Sequence, residues 1–254
     1  MKKCNYHTHT PRCHHAIGSE EEYILNAIQA GFDELGFADH TPWHYESDFT
    51  GLARMEEDKL EDYVSTLKRL KEKYKDQISI KIGLEAEYFE DKLPWLLKKK
   101  EELGIDYLIC GHHYHISDEI NQYNGVPFMN ESKLIDYVED IIQAIHSGYY
   151  IYIAHPDLIN YKFLKKEFYK TQMTRIIQEA IKYDLPLEFN LLGFREQRNY
   201  PNPIFWKLVS KYKAKAIIGF DAHTPASLLD DTTYDKAIQY LKDLDIEIIE
   251  KIEM

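Results

Sequence analysis

The chain has 254 residues, 44% of them hydrophobic, enough for one sizeable core, and no stretch approaches the roughly 20 apolar residues that span a bilayer. Its formal net charge of −12 argues against a long nucleic acid as partner, and an anionic substrate would need local cations to offset this background. Cys4, Cys13 and Cys110 form no CxxC pair, and no apolar segment follows the N-terminal MKKCNYHTHT. Reduced thiols in a cytoplasmic protein are therefore expected.

No internal repeat, low-complexity tract or Gly/Ser-rich linker interrupts the chain, so residues 1–254 read as one domain. Lys3 to His7 is the first β-type run. Ser19 opens a helix, with Glu22 completing a capping box, Ile24, Ala27 and Ile28 on one face, and Gly31 as the stop. Glu34 to Ala38 is the second run, ending in Asp39-His40, and a helix follows on Leu60, Tyr63, Val64, Leu67 and Leu70. Ile78 to Tyr88 alternates as a strand, and a helix rich in lysine and leucine leads to the strand Tyr107 to Gly111. Asn130 caps a helix built on Leu134, Val138, Ile141, Ile142 and Ile145. Then come Tyr150 to Ala154 (strand), Phe168 to Ile181 (helix), Leu185 to Phe189 (strand), Phe205 to Tyr212 (helix) and Ala216 to Phe220 (strand). A last helix uses Ala237, Tyr240, Leu241 and Leu244. Alternating βα units imply parallel strands with crossover helices, and about seven of them suggest a barrel.

Histidines gather at the ends of these runs. His7 and His9 close the first, His40 the second, His113 follows the fourth, His155 the fifth, and Asp221 with His223 the seventh; Glu85 lies in the third. In a parallel barrel those ends share one face, where active sites are built. Residues i and i+2 of a strand point the same way, so His7 with His9, and Asp221 with His223, can each grip one cation. Imidazoles suit zinc, iron or manganese, and Glu85 and Asp221 offer bridging oxygens. A set of hydrogen-bonded core histidines is the competing account. It would bury many imidazoles and two carboxylates without cations, at several kcal/mol for each unpaired charge. Cys13, close to several histidines, reads either as a ligand or as a small apolar filler.

Six segments together resemble the PHP (polymerase and histidinol phosphatase) family. They are Tyr6-His7-Thr8-His9-Thr10-Pro11, Ala38-Asp39-His40-Thr41-Pro42, Gly83-Leu84-Glu85-Ala86-Glu87, Gly111-His112-His113-Tyr114, Ala154-His155-Pro156-Asp157-Leu158 and Gly219-Phe220-Asp221-Ala222-His223. Within the family the chain is most similar to the histidinol-phosphate phosphatases. The resemblance implies a distorted (β/α)7 barrel carrying three divalent cations (zinc, manganese or iron) at the C-terminal ends of the strands. It implies that His7, His9, Glu85 and Asp221 hold the first, and His15, His40 and His223 the second. Glu85 would bridge to a third held by His113 and His155. His15 is preferred to His14 because it precedes Ala16 in an HTPxCxHA-like stretch; His115 remains an alternative to His113, and Glu87 to Glu85.

The activity implied is hydrolysis of a small phosphorylated metabolite, histidinol phosphate, with His40, Glu85, Asp221 and Arg195 in the catalytic machinery. Arg195 stands where the family has an arginine, and a guanidinium suits a phosphate; an ion pair with Glu196 is the alternative. Arg198 and Lys162 are further candidates for the phosphate. His44 and His115 read as proton donors or as ordinary loop histidines, and His146 as a helix-surface residue. Asp157 and Glu196 could meet a substrate amine. Three rival readings stay open: action on another phosphate ester or nucleotide, metal-dependent amide hydrolysis, and a non-catalytic metal-binding module.

Overall fold

Strands and helices alternate along the chain in the computed structural model, which describes residues 3–128, 130–160 and 165–254. The strands are β1 (Cys4–Asn5), β2 (Glu34–His40), β3 (Ser79–Ala86), β4 (Tyr107–Gly111), β5 (Ile153–Ala154), β6 (Leu187–Asn190), β7 (Ala216–Gly219) and β8 (Ile248–Ile249). The helices are α1 (Glu20–Gln29), α2 (Leu60–Lys73), α3 (Leu93–Leu103), α4 (Glu131–Ser147), α5 (Lys166–Lys182), α6 (Leu191–Glu196), α7 (Pro203–Tyr212) and α8 (Asp231–Asp243). Strand order in the sheet follows chain order, and the described pairings are parallel. Seven expected strands are present, and β8 adds a short eighth whose two residues are too few to show a periodicity. Two compact units divide the chain: Met1–Ile109 with Gly219–Asp231 and Glu250–Met254, and Cys110–Ile218 with Thr232–Ile249.

In the first unit, β1 stops two residues short of the expected His7. The Asn5 side chain is the cause: its amide donates to the His7 carbonyl (3.1 Å) and Thr8 Oγ1 (2.8 Å), and its Oδ1 accepts from the backbone N–H groups of His7 (3.2 Å) and Phe220 (3.0 Å). A side chain thus takes the bonds a ladder would have used. The β2–β3 register runs from Glu34 opposite Ser79 to His40 opposite Glu85, which sets His40 and Glu85 side by side. Beneath them Tyr107 is fully buried, and its hydroxyl donates to the carbonyls of Tyr6 (2.8 Å) and Phe37 (3.0 Å). It needs Gly36 and Gly83, where a Cβ would come within 2.3 Å of its hydroxyl and 2.4 Å of its ring, respectively. Helix α1 begins with the expected capping box of Ser19 and Glu22, and α2 buries the expected stripe from Leu60 to Leu70.

The second unit contains α4, capped by Asn130 and ended by Gly148 in the left-handed region (φ 70°). Its apolar face, Leu134 to Ile145, is the one the spacing predicts. Only Ile153–Ala154 of the expected Tyr150–Ala154 strand pairs. Directly after β6 the chain turns into α6, because Asn190 Oδ1 accepts the Gly193 N–H at 2.9 Å and caps a helix over residues to which the sequence reading assigns no element. Phe189 packs on Trp206 and Tyr240, with ring centroids 5.0 Å and 5.4 Å apart.

Candidate metal centre

In the first unit the His7-Thr8-His9 and Asp221-Ala222-His223 segments lie alongside each other. Thr8 and Ala222 form a parallel bridge; the His9 N–H donates to the Ala222 carbonyl at 3.0 Å and the Ala222 N–H to the His7 carbonyl at 3.2 Å. Strand alternation then turns the four outer side chains to one side. His7 Nε2 lies 3.3 Å from Glu85 Oε2 and 3.5 Å from Asp221 Oδ1. His9 Nε2 lies 3.1 Å from that Asp221 oxygen and 3.5 Å from Glu85 Oε2, and His40 Nδ1 is 3.0 Å from Glu85 Oε2.

Three donor sets, His7–His9–Asp221, His9–His40–Glu85 and His15–His40–His223, each have their ligand atoms within 4.8 Å of one another. Most of the His–carboxylate separations are long for hydrogen bonds. They match the edges of a tetrahedron around a cation with bonds of about 2.1 Å, whose ligands sit about 3.4 Å apart. Nitrogen and oxygen donors in this mix suit zinc, manganese or iron. His15 Nδ1 donates to the Cys13 carbonyl (2.7 Å) and His223 Nδ1 to the Asp221 carbonyl (3.0 Å), so both rings present Nε2. His223 Nε2 is buried without a hydrogen-bond partner among the described residues, as a ligand atom should be. The residues fit the metals.

Electrostatics point the same way. Burial opposes charge on His9, but Asp221, Asp39 and Cys13 outweigh it and hold a proton there well above the ordinary range. Burial, with charge on His9, pushes His223 down to about 3 and keeps its lone pair. Asp221, against its burial, is kept well below the usual carboxylate range by His7, His223 and His9. The proton that His9 shares with Asp221 is the one a cation would displace. Cys13 is fully buried with its sulfur in a further donor set with His9 and His223.

Several alternatives left open by the spacing are separated by the geometry. Glu87 is held by Arg54 (Nη2 to Oε1, 3.0 Å) and by Trp43 Nε1 (2.8 Å), so Glu85 alone of the pair faces the histidines. His14 is exposed in the left-handed region (φ 68°), 3.3 Å from Glu56. His44 pairs with Glu57 at 2.7 Å and His146 with Glu179 at 2.7 Å.

In the second unit His113 and His155 meet with ring centroids 5.0 Å apart. His155 has a left-handed backbone (φ 30°), and its N–H donates to Glu188 Oε2 at 3.0 Å. His112 and His115 instead turn to Asp140. Arg198 is taken up by Glu196 (2.7 Å) and the Tyr200 hydroxyl (3.0 Å), whereas Arg195, half-buried on α6, makes no ion pair with Glu196. Asp157 is buried, accepts from the Asn202 N–H (2.5 Å) and Trp206 Nε1 (3.2 Å), and is raised to about 7 by that burial. Both bonds fall on the same carboxylate oxygen, Oδ2. Lys162 lies outside the described residues.

Sequence reasoning assigned no role to Asp39, Glu188 or Asp140. Asp39 accepts from Thr10 N (3.1 Å), Thr10 Oγ1 and His40 N (2.8 Å), and lies 3.4 Å from His9 Nδ1. Acids inside apolar strands, Asp39 in GFADH and Glu188 in LEFN, were the available signal. Asp140, on a helix, gave none.

The family model of the PHP domain matches residues 5–191. A Schizosaccharomyces pombe protein named probable histidinol-phosphatase is 32% identical, over 86% of this chain and 80% of its own length. The Bacillus subtilis histidinol-phosphatase is 27% identical, over 88% of this chain and 94% of its own. A crystal structure of Lactococcus lactis histidinol phosphate phosphatase, complexed with zinc, L-histidinol and phosphate, has a like fold: TM-score 0.76 and 19% identity, covering 100% of this chain and 99% of that one. The fold class is accordingly the distorted β/α barrel the strand order implies. No helix among the described residues is long and apolar enough to cross a membrane.

Proposed function

The chain belongs to the PHP family, and from that membership we propose that it is a metal-dependent phosphomonoesterase hydrolysing L-histidinol phosphate to L-histidinol and phosphate. One observation carries the reading: buried imidazoles and carboxylates converge at coordination distances in the first unit. The relatives' names supply the substrate. Three buried, unbridged cysteines suit a cytoplasmic enzyme.

His7, His9, Glu85 and Asp221 would hold one divalent cation and His15, His40 and His223 a second; His113 and His155 would share in a third. When bound, such cations lower the pKa of a coordinated water towards neutrality and polarise the phosphoryl oxygens. The chain's own residues prepare that chemistry. Asp39 keeps His9 Nδ1 occupied and so turns Nε2 inward. The Cys13 and Asp221 carbonyls do the same for His15 and His223. Arg195, unlike Arg198, has no ion pair among the described residues, and its guanidinium serves the substrate phosphate.

Phosphate release from histidinol phosphate, a nucleoside monophosphate, a sugar phosphate and an aryl phosphate by metal-reconstituted protein tests the proposal. A kcat/KM preference of at least tenfold for histidinol phosphate, about 1.4 kcal/mol in the transition state, is expected. Preference for a nucleotide would keep the phosphatase chemistry and reject the substrate. No hydrolysis with any metal would reject both.

A further inference from the structure

The turn after β4 is anchored on two sides. On one, a single oxygen of Asp140, from α4, accepts both His112 Nε2 at 2.9 Å and His115 Nδ1 at 2.5 Å. On the other, buried Asn124 donates from Nδ2 to the His112 carbonyl at 3.2 Å and from its backbone N–H to the His113 carbonyl at 2.7 Å. His113 stands between these anchors, its ring stacked on Tyr123 (6.1 Å) and 5.0 Å from His155. His112 is almost fully buried, and its Nδ1 has no hydrogen-bond partner among the described residues. The bond to Asp140 is therefore the one that satisfies this ring, and a buried imidazole with neither nitrogen bonded would be costly to keep in place.

We propose that Asp140 is a positioning residue for the metal site, one carboxylate that ties both flanks of His113 to α4 and so fixes the imidazole of His113 towards His155. The inference rests on the reading above that His113 and His155 hold a cation. Without the carboxylate, His112 and His115 lose their shared acceptor. The turn then relaxes to give the buried ring water, and it carries His113 with it. Partners of this kind, one step removed from the ligands, typically change metal affinity about 10- to 100-fold.

Zinc titration of the metal-free protein by calorimetry, with metal content after dialysis, provides the test for wild type, His113→Ala, Asp140→Ala and Asp140→Asn. His113→Ala should lose one cation. Asp140→Ala should weaken that same cation about 10- to 100-fold and leave the others as in wild type. Asp140→Asn, which keeps an acceptor oxygen but not the charge, should recover most but not all of the loss; if the alanine variant does not fold, a selective residual weakening of that one cation in the asparagine variant supports the proposal and wild-type binding there overturns it. An Asp140→Ala protein that binds every cation as wild type does, while His113→Ala has lost one, would overturn this inference alone. Identical zinc binding by wild type and His113→Ala would remove the ligand reading beneath it.

Discussion

His9 is held between two acids: its Nδ1 lies 3.4 Å from Asp39 and its Nε2 3.1 Å from Asp221. One acid fixes the ring and the other shares its working nitrogen. Asp39→Ala keeps every proposed ligand yet should weaken zinc binding about 10- to 100-fold. It also leaves the Thr10 and His40 N–H groups unsatisfied, at about 1–3 kcal/mol each. Titration of the metal-free variant with zinc checks this, and unchanged affinity would place Asp39 outside the site's support.

Glu85 touches His7, His9 and His40 at 3.0–3.5 Å, whereas His14 and His146 pair with exposed or half-buried acids elsewhere. Glu85→Ala should lose metal and turnover together, and His14→Ala and His146→Ala neither. Elemental analysis beside phosphate release separates the cases. Equal losses in all three would sink the assignment of Glu85.

Arg195 and Arg198 are three residues apart and differently engaged. Losing one preorganised charged donor costs about 10²–10³-fold in rate. Arg195→Ala should therefore depress kcat/KM by that order with metal content intact, and Arg198→Ala should do less. Near-normal kcat/KM in Arg195→Ala would return it to the protein surface.

At Gly83 an added Cβ would sit 2.4 Å from the Tyr107 ring, which is fully buried and bonded to two backbone carbonyls. The ring cannot retreat cheaply. Gly83→Ala should cost about 1–3 kcal/mol by overpacking, read as a lowered Tm of the metal-free protein. A Tm at or above that of wild type would show that the sheet gives way without strain.

Burial works to raise the Asp140 carboxyl, but His112 and His115 outweigh it and hold it below the ordinary value. A depressed acid contributes stability above its unfolded-state value, about 3.9, and loses it as the pH falls through the folded value. Thermal melts of wild type and Asp140→Asn should therefore differ near neutrality and converge in acid. Parallel curves would mean that the carboxylate's charge contributes nothing.

The sequence by itself determined the βα alternation, the stripes of α2 and α4, the capping box at Ser19 and the placing of histidines at strand ends. Each depends on neighbours within a turn or two of chain, where periodicity and local hydrogen bonding decide. It also carried the ordered motifs that tie the chain to its family. Only the tertiary structure separates Glu85, which faces the histidines, from Glu87, and His113, which meets His155, from His115. Those separations turn on Arg54 with Trp43 in one case and on Asp140 of α4 in the other, partners 33, 44 and 25 residues away in the chain. β1 ends early because Asn5 reaches Phe220, 215 residues on. Hydrogen bonds of a buried polar group are completed by whatever the fold brings near, and no local pattern records that.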